Sequence, residues 1–173
     1  MSLLSTGNFC PPDSAGIEID YENKSFKQII DSSRRMPTPF QRERCNVNDN
    51  GEILSWAEGD TAEDGSEGQI MVYQPKFYYC RIPLKMENNK IRKEIYFVSG
   101  QKHPGFDTFP AFKRSTEEVD YILLSAYEGC AQYQDGSYEQ NDNGNYPNTA
   151  KLSSIAGVKP ISGANDAFTI TKA

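Results

Sequence analysis

Apolar residues fall in short alternating runs along this chain, and long helical arcs are absent. Ile17, Ile19 and Tyr21 are spaced by two, which predicts a strand. At Phe26, Ile29 and Ile30 the spacing shifts to a helical one, which predicts a short helix after a turn at Glu22-Asn23. "NDNG" (48–51) reads as a hairpin turn of type I′, because Asn-Gly accepts positive φ angles, and "EILSW" (52–56) as its return strand. "QIMVYQPKFYYCRIPLKM" (69–86) has strand composition throughout, with Pro75 as a kink or edge residue. "ENNK" (87–90) turns the chain and "IRKEIYFVSG" (91–100) returns it, which makes a long hairpin. "EVDYILLSAYEGC" (118–130) is the longest apolar stretch. It predicts a core strand, buried on both faces or bulged near Leu123-Leu124, because Val119, Ile122, Leu124 and Ala126 do not alternate cleanly.

Between these runs lie long polar connections. Residues 1–16 read as an arm punctuated by Pro11-Pro12 and Gly16. "AEGDTAEDGSEG" (57–68) is an acidic, glycine-rich loop, 101–114 an irregular segment with Phe106, Phe109 and Phe112, and 131–150 an insertion rich in Asn, Gly and Tyr. Nothing repeats with a solenoid period. The expected fold class is α+β, β-dominated and loop-rich.

Composition narrows the function classes. Hydrophobic residues are 37% of the 173 and mean hydropathy is -0.67, yet 12% are aromatic, so a folded core built on Tyr and Phe is expected rather than disorder. A net charge of -6 disfavours nucleic acid or an anionic membrane as a general partner. The one basic cluster, Arg34, Arg35, Arg42 and Arg44, is broken by Pro37 and Pro39. The N-terminus lacks the basic region and apolar core of a signal peptide, and no window has the length of a membrane span.

Candidate chemistry is sparse. His103, the only histidine, sits between Lys102 and Pro104 with no nucleophile motif, and reads as a loop-packing residue. Cys10, Cys45, Cys80 and Cys130 are scattered without C-x-x-C, so zinc is disfavoured and free thiols are expected over two long-range disulfides. Asp120 and Glu128 would lie ~26 Å apart in an unbroken strand, beyond the reach of a glycosidase pair. They would pin the strand's ends instead, with at most one paired to Arg or Lys. The acidic loops 60–67 and 135–142 do not fit the spacing of an EF-hand. The insertion at 131–150 combines tyrosines with Asn, Asp, Ser and Gly, the composition of adaptable recognition surfaces. Tyr133, Asp135, Tyr138, Asn141 and Tyr146 are its candidate ligand-binding residues.

Several strings are collinear with a known family. "RERCNVNDNGEI", "DGSEGQIMVYQPKFYYCRIPL", "PGFDTFPAFKR", "EEVDYILLSAYEG" and "KLSSIAGVKPISG" resemble consecutive segments of phage and prophage tail proteins, over roughly residues 40–173. The resemblance implies a tail-fibre or tail-tip protein with a C-type-lectin-like fold, of the type shared with the formylglycine-generating enzyme and the variable proteins of diversity-generating retroelements. With weaker support from residue 17, it implies a β-rich subregion at 17–68 and a lectin-like core at 69–173, after the arm read at 1–16. In the relatives the chain continues past "GVKP" into an Arg-, Gly- and Trp-rich stretch that carries the binding surface. This chain ends at Ala173, so the resemblance implies a form lacking that C-terminal part. The catalytic relatives use cysteines of that later region, which the four cysteines here do not match.

The expectation is therefore a virion structural and receptor-binding protein, not an enzyme, without cofactor or metal. It is expected to be assembled in the host cytoplasm, with other virion subunits and a host surface receptor as partners. A glycan is one candidate receptor, and a homotrimer the expected assembly. The alternatives are a bacterial carbohydrate-binding or adhesion module and, less favoured, a lectin-fold oxidoreductase-like enzyme.

Overall fold

The structure is a computed structural model that describes residues 11–29, 38–56, 62–138 and 150–161. Strand far outweighs helix, 52% against 4%, so the chain is β-dominated with antiparallel sheets. Helix is limited to two 3₁₀ turns, Thr38–Phe40 and Pro110–Phe112, among the described residues. The chain divides into two compact units, 1–42 with 74–122 and 43–73 with 123–173. Each unit draws on both of the blocks 17–68 and 69–173.

The first unit holds a five-stranded antiparallel sheet. It is built on the hairpin of β6 (Tyr78–Glu87) and β7 (Lys90–Ser99), which the strand composition and the turn at 87–90 predict. Asn88 and Asn89 both have positive φ, 49° and 58°, the geometry of a type I′ turn, which asparagine tolerates better than most residues. β1 (Ser14–Asp20) pairs with β7, β2 (Ser25–Ile29) with β1, and the short β8 (Asp107–Thr108) with β6, in the order β2-β1-β7-β6-β8. β1 already begins at Ser14, so the end of the predicted arm is strand.

The helix predicted over Phe26, Ile29 and Ile30 is corrected. Ser25–Ile29 is a strand, with Phe26 opposite Ile19 and Gln28 opposite Ile17; Ile30 lies outside the described residues. The open edge of β1 decides this. Five residues cannot sustain an isolated helix, whereas pairing satisfies their backbone groups at once. The turn at 21–24 is set by Asp20, whose carboxylate accepts from the backbone N–H of Glu22 at 3.1 Å and of Asn23 at 3.0 Å.

An aromatic layer forms the interior on one side of this unit. Phe112 is fully buried and meets the Phe77 ring edge-on at 5.2 Å. Phe77 lies 4.7 Å from Phe109, which reaches Tyr79 at 5.6 Å, and Tyr79 stacks on Tyr96 at 5.8 Å. Phe97 lies directly over Gly16, where a Cβ would come within 2.5 Å of the ring, so glycine is required there.

Glu94 is the buried ion among the described residues of this unit, 1% exposed. Arg81 donates to both of its oxygens, at 2.9 and 2.8 Å, and the Tyr21 hydroxyl donates at 2.6 Å. The Arg81 guanidinium, and after it the tyrosine, hold the Glu94 carboxyl below its ordinary value against the opposing effect of burial. A lowered native pKa stabilises the fold fully above the unfolded value of 4.5, and that stability is lost as pH falls through the lowered one. Glu94→Gln is therefore expected to show a shallower decline of its urea midpoint than the wild type as pH falls from about 6 to 3. Parallel declines would assign the acid sensitivity to other carboxylates.

A four-stranded sheet has the order β4-β3-β5-β9, made of β3 (Glu43–Val47), β4 (Ile53–Trp56), β5 (Gln69–Pro75) and β9 (Tyr121–Ser125); β3, β4, residues 69–73 of β5 and residues 123–125 of β9 belong to the second unit. A separate two-stranded ribbon pairs β10 (Gly129–Gln132) with β11 (Lys151–Ser154). Ile70, Cys130 and Ile155 form the core, with Ala126, Tyr127, Tyr138 and Val158 packed against it. Buried Ser154 accepts from the Tyr127 N–H at 3.0 Å and donates to the Ile70 carbonyl at 2.8 Å. Asn46, fully buried, donates to the Ala62 carbonyl at 3.2 Å.

Two further expectations change here. Only Gly51 of "NDNG" has positive φ, 84°, and its N–H donates to the Asn48 carbonyl at 3.0 Å. This is a type I turn closed by a left-handed glycine rather than a type I′ turn. Asn48 accounts for the difference: its side-chain oxygen accepts from the N–H groups of Asn50 and Glu52, both at 2.9 Å, and so locks the other form.

The stretch 118–130 is likewise two strands and not one. The chain leaves β9 after Ser125 and starts β10 at Gly129. β9 is an edge strand whose Tyr121 and Leu124 are 38% and 44% exposed, so the expected core strand is corrected; the buried residues of the stretch are Cys130 and, just beyond it, Ala131. Asp120 is paired, accepting from Lys76 at 2.7 Å.

Candidate functional site

Among the described residues, local geometry accounts for the histidine and the thiols. His103 Nε2 lies 2.8 Å from the Pro12 carbonyl oxygen, and its ring is edge-on to Phe106 at 5.3 Å, the loop-packing role its context predicts. Cys45, Cys80 and Cys130 are free thiols, as expected. Burial pushes all three thiols above their ordinary pKa, away from the reactive thiolate. Cys10 lies outside the described residues, as do Arg34 and Arg35. Among the described residues, no three of His, Cys, Asp or Glu stand close enough together to hold a metal ion.

The second unit carries a cleft of about 230 Å³. Its lining comes from four places in the chain. The β3–β4 turn supplies Asn48 and Asp49, and β4 supplies Leu54. The 62–68 turn and the start of β5 supply Gly65, Gly68 and Gln69. The β10–β11 ribbon and its flanks supply Gln132, Tyr138, Lys151, Ser153 and Ile155.

Each wall has a local cause. At Gly65, φ is +82°, and a Cβ would come within 2.5 Å of Ile155 Cδ1 and 2.6 Å of the Tyr138 hydroxyl. At Gly68, φ is +104°, and a Cβ would come within 2.6 Å of the Val47 carbonyl. Glycine at both positions lets the 62–68 turn lie flat against its neighbours. Tyr138 closes one wall. Its hydroxyl accepts from Gln132 Nε2 at 3.0 Å, and Gln132 Oε1 accepts from the buried Ser153 hydroxyl at 3.0 Å. The amide is thus fixed in orientation and keeps one hydrogen and one lone pair to offer. Burial, with the nearby Cys130 and Asp64 adding to it, raises the Tyr138 pKa, so the phenol stays neutral and able to donate.

Lys151 forms an ion pair with Asp49 across 102 residues of chain, and Gln69 bonds the same carboxylate. These bonds, the lysine's first, hold the Asp49 carboxyl below its ordinary value. Both charged side chains remain well exposed, at 48% and 60%. Leu54 is 56% exposed and puts an apolar surface beside the polar groups, while Ile155 is buried beneath them.

Of the five residues singled out in the insertion, Tyr138 lines this cleft. Asp135 instead builds the 133–137 turn: it accepts from the N–H of Ser137 at 2.9 Å and from its hydroxyl at 2.6 Å. Tyr133 closes that turn, its N–H donating to the Ser137 carbonyl at 2.8 Å. Asn141 and Tyr146 lie outside the described residues. Sequence reading missed Asp49, Gln69, Gln132 and Lys151. The "NDNG" turn marked where Asp49 would be exposed, but no local pattern joins it to Lys151.

Comparison with known proteins gave no match: no family model, no curated protein and no solved structure matches the chain.

Proposed function

We propose that this chain is a structural and receptor-binding protein of a phage tail, placed at the fibre or tip and acting by binding rather than catalysis. In this reading the fold is C-type-lectin-like, the working assembly is a homotrimer, and the partners are other virion subunits and a host surface receptor. The observation that carries the reading is the collinear set of tail-protein-like strings. The first covers β3 and the turn to the start of β4, the second β5 and most of β6, the fourth β9 and the start of β10, and the last β11 with the turn after it. A site with the fixed Gln132 amide and a neutral tyrosine, together with thiols pushed away from reactivity, supports binding over chemistry.

The test is particle composition. Phage particles induced from a lysogen carrying the gene, purified and digested for mass spectrometry, are expected to contain the chain as a stoichiometric component. Gold-labelled antibody is expected to decorate the tail end. Purified, infective particles devoid of the chain would overturn the proposal.

A further inference from the structure

We propose that the cleft of the second unit binds a single neutral, hydroxyl-bearing ring, a hexose-sized unit of a surface polysaccharide. The assignment of that ring to a host surface rests on the tail-protein reading; the ligand chemistry rests on the cleft.

Size sets the first limit. At about 230 Å³ the cleft is smaller than the roughly 300–1,000 Å³ of pockets for drug-sized ligands, and it holds one ring rather than an extended chain. Charge sets the second. Asp49 and Lys151 neutralise each other at the cleft. An anionic ligand would meet repulsion from the Asp49 carboxylate and a cationic one from the Lys151 ammonium. A neutral ligand can use the lone pairs and hydrogens that the pair leaves over.

The pattern of donors and acceptors sets the third. The carboxylate accepts and the ammonium donates, while the Gln132 amide and the Tyr138 hydroxyl do both. A hydroxyl is also both donor and acceptor, so a polyhydroxylated ring satisfies every one of these groups. An apolar ligand would strip them of water without replacement. Leu54, 56% exposed, adds an apolar surface that suits the C–H face of such a ring, with Ile155 buried beneath the cleft. The clamp of Ser153, Gln132 and Tyr138 is already in place, so little ordering remains to be done on binding.

The experiment is an NMR titration of the full chain with neutral methyl glycosides of glucose, galactose, mannose, rhamnose and N-acetylglucosamine. Glucuronic acid and N-acetylneuraminic acid are the charged arms. At least one neutral glycoside is expected to shift the Gln132 side-chain resonances saturably, with the charged sugars leaving them in place. Tyr138→Phe, which keeps the ring, and Lys151→Gln, at an exposed position, are each expected to weaken that binding by about tenfold. The inference is overturned if no neutral glycoside gives a saturable shift at the cleft, or if both folded variants bind as the wild type does. Particles that contain the chain, with a cleft that ignores every sugar, would overturn this inference and leave the tail reading standing. A sugar-responsive cleft in a chain absent from particles would do the reverse.

Discussion

Phe112→Ala is expected to lower the free energy of unfolding by about 3–5 kcal/mol, the range for removing a fully buried phenylalanine. Phe112 ends the 3₁₀ turn Pro110–Phe112 and has no exposed surface. Its neighbours are rigid rings, Phe77 at 5.2 Å and Phe109 at 6.5 Å, each held by further aromatic contacts. Such walls relax little into a void, so the cost belongs near the top of the range rather than the bottom. The backbone carbonyl of Phe112 keeps its bond from the Val119 N–H at 2.9 Å, which isolates the effect to packing. Urea unfolding followed by circular dichroism measures it. Phe26→Ala is the control, because Phe26 is 75% exposed on the edge strand β2 and is expected to change stability by no more than about 0.5 kcal/mol. Equal losses in the two variants would mean that the aromatic layer does not hold the first unit together.

That contrast between two phenylalanines shows what residue patterns can and cannot say. The β6–β7 hairpin was legible because strand composition on both sides agreed with the turn at 87–90, but the single run read over 69–86 is two strands, β5 ending at Pro75 and β6 starting at Tyr78 in a different sheet. Phe26 was misread because Phe26, Ile29 and Ile30 carry helical spacing over a run too short to decide by itself. The decision was made by the free edge of β1, which is not a property of residues 25–29. "YILLS" was misread in the opposite sense. Its apolar density suggests burial, but β9 sits at the end of the order β4-β3-β5-β9, where one edge has no partner strand in that sheet and side chains stay exposed.

The candidate site was legible only in part, and for a related reason. Tyr138 stood out because tyrosine among Asn, Asp and Ser suggests a recognition surface wherever it occurs. Its partners did not. Gln132 becomes a site residue only when Ser153 and Tyr138 fix its amide, and Asp49 only when the β10–β11 ribbon delivers Lys151. Contacts between residues that far apart in the chain leave no periodic trace. Asp135 was an attractive candidate on the same composition argument, yet a carboxylate two residues before a serine is as well suited to closing a turn, which is what it does.

Ile70→Ala is the second large effect expected, about 2–5 kcal/mol. Ile70 is 1% exposed on β5, in the cluster with Cys130 and Ile155, and its carbonyl accepts both the Ala126 N–H at 3.1 Å and the Ser154 hydroxyl at 2.8 Å. Those backbone bonds survive the substitution, while the side-chain volume that seats Ile155 and Tyr138 does not. Trp56 is the only tryptophan and lies in the same unit, edge-on to Tyr73 at 5.1 Å, so its fluorescence during urea unfolding reports on this unit. Ile70→Val, which removes one methylene group, is expected to cost about 0.5–1.5 kcal/mol. Ile155 and Tyr138 line the cleft as well as touching this core, so the two variants should also separate in ligand binding when both are folded. Ile70→Ala loosens the floor and the tyrosine wall together and should weaken the sugar response, whereas Ile70→Val should leave it near that of the wild type. A folded Ile70→Ala protein that kept full sugar binding would show that the cleft is held by its hydrogen bonds and glycines alone, independently of the core beneath it.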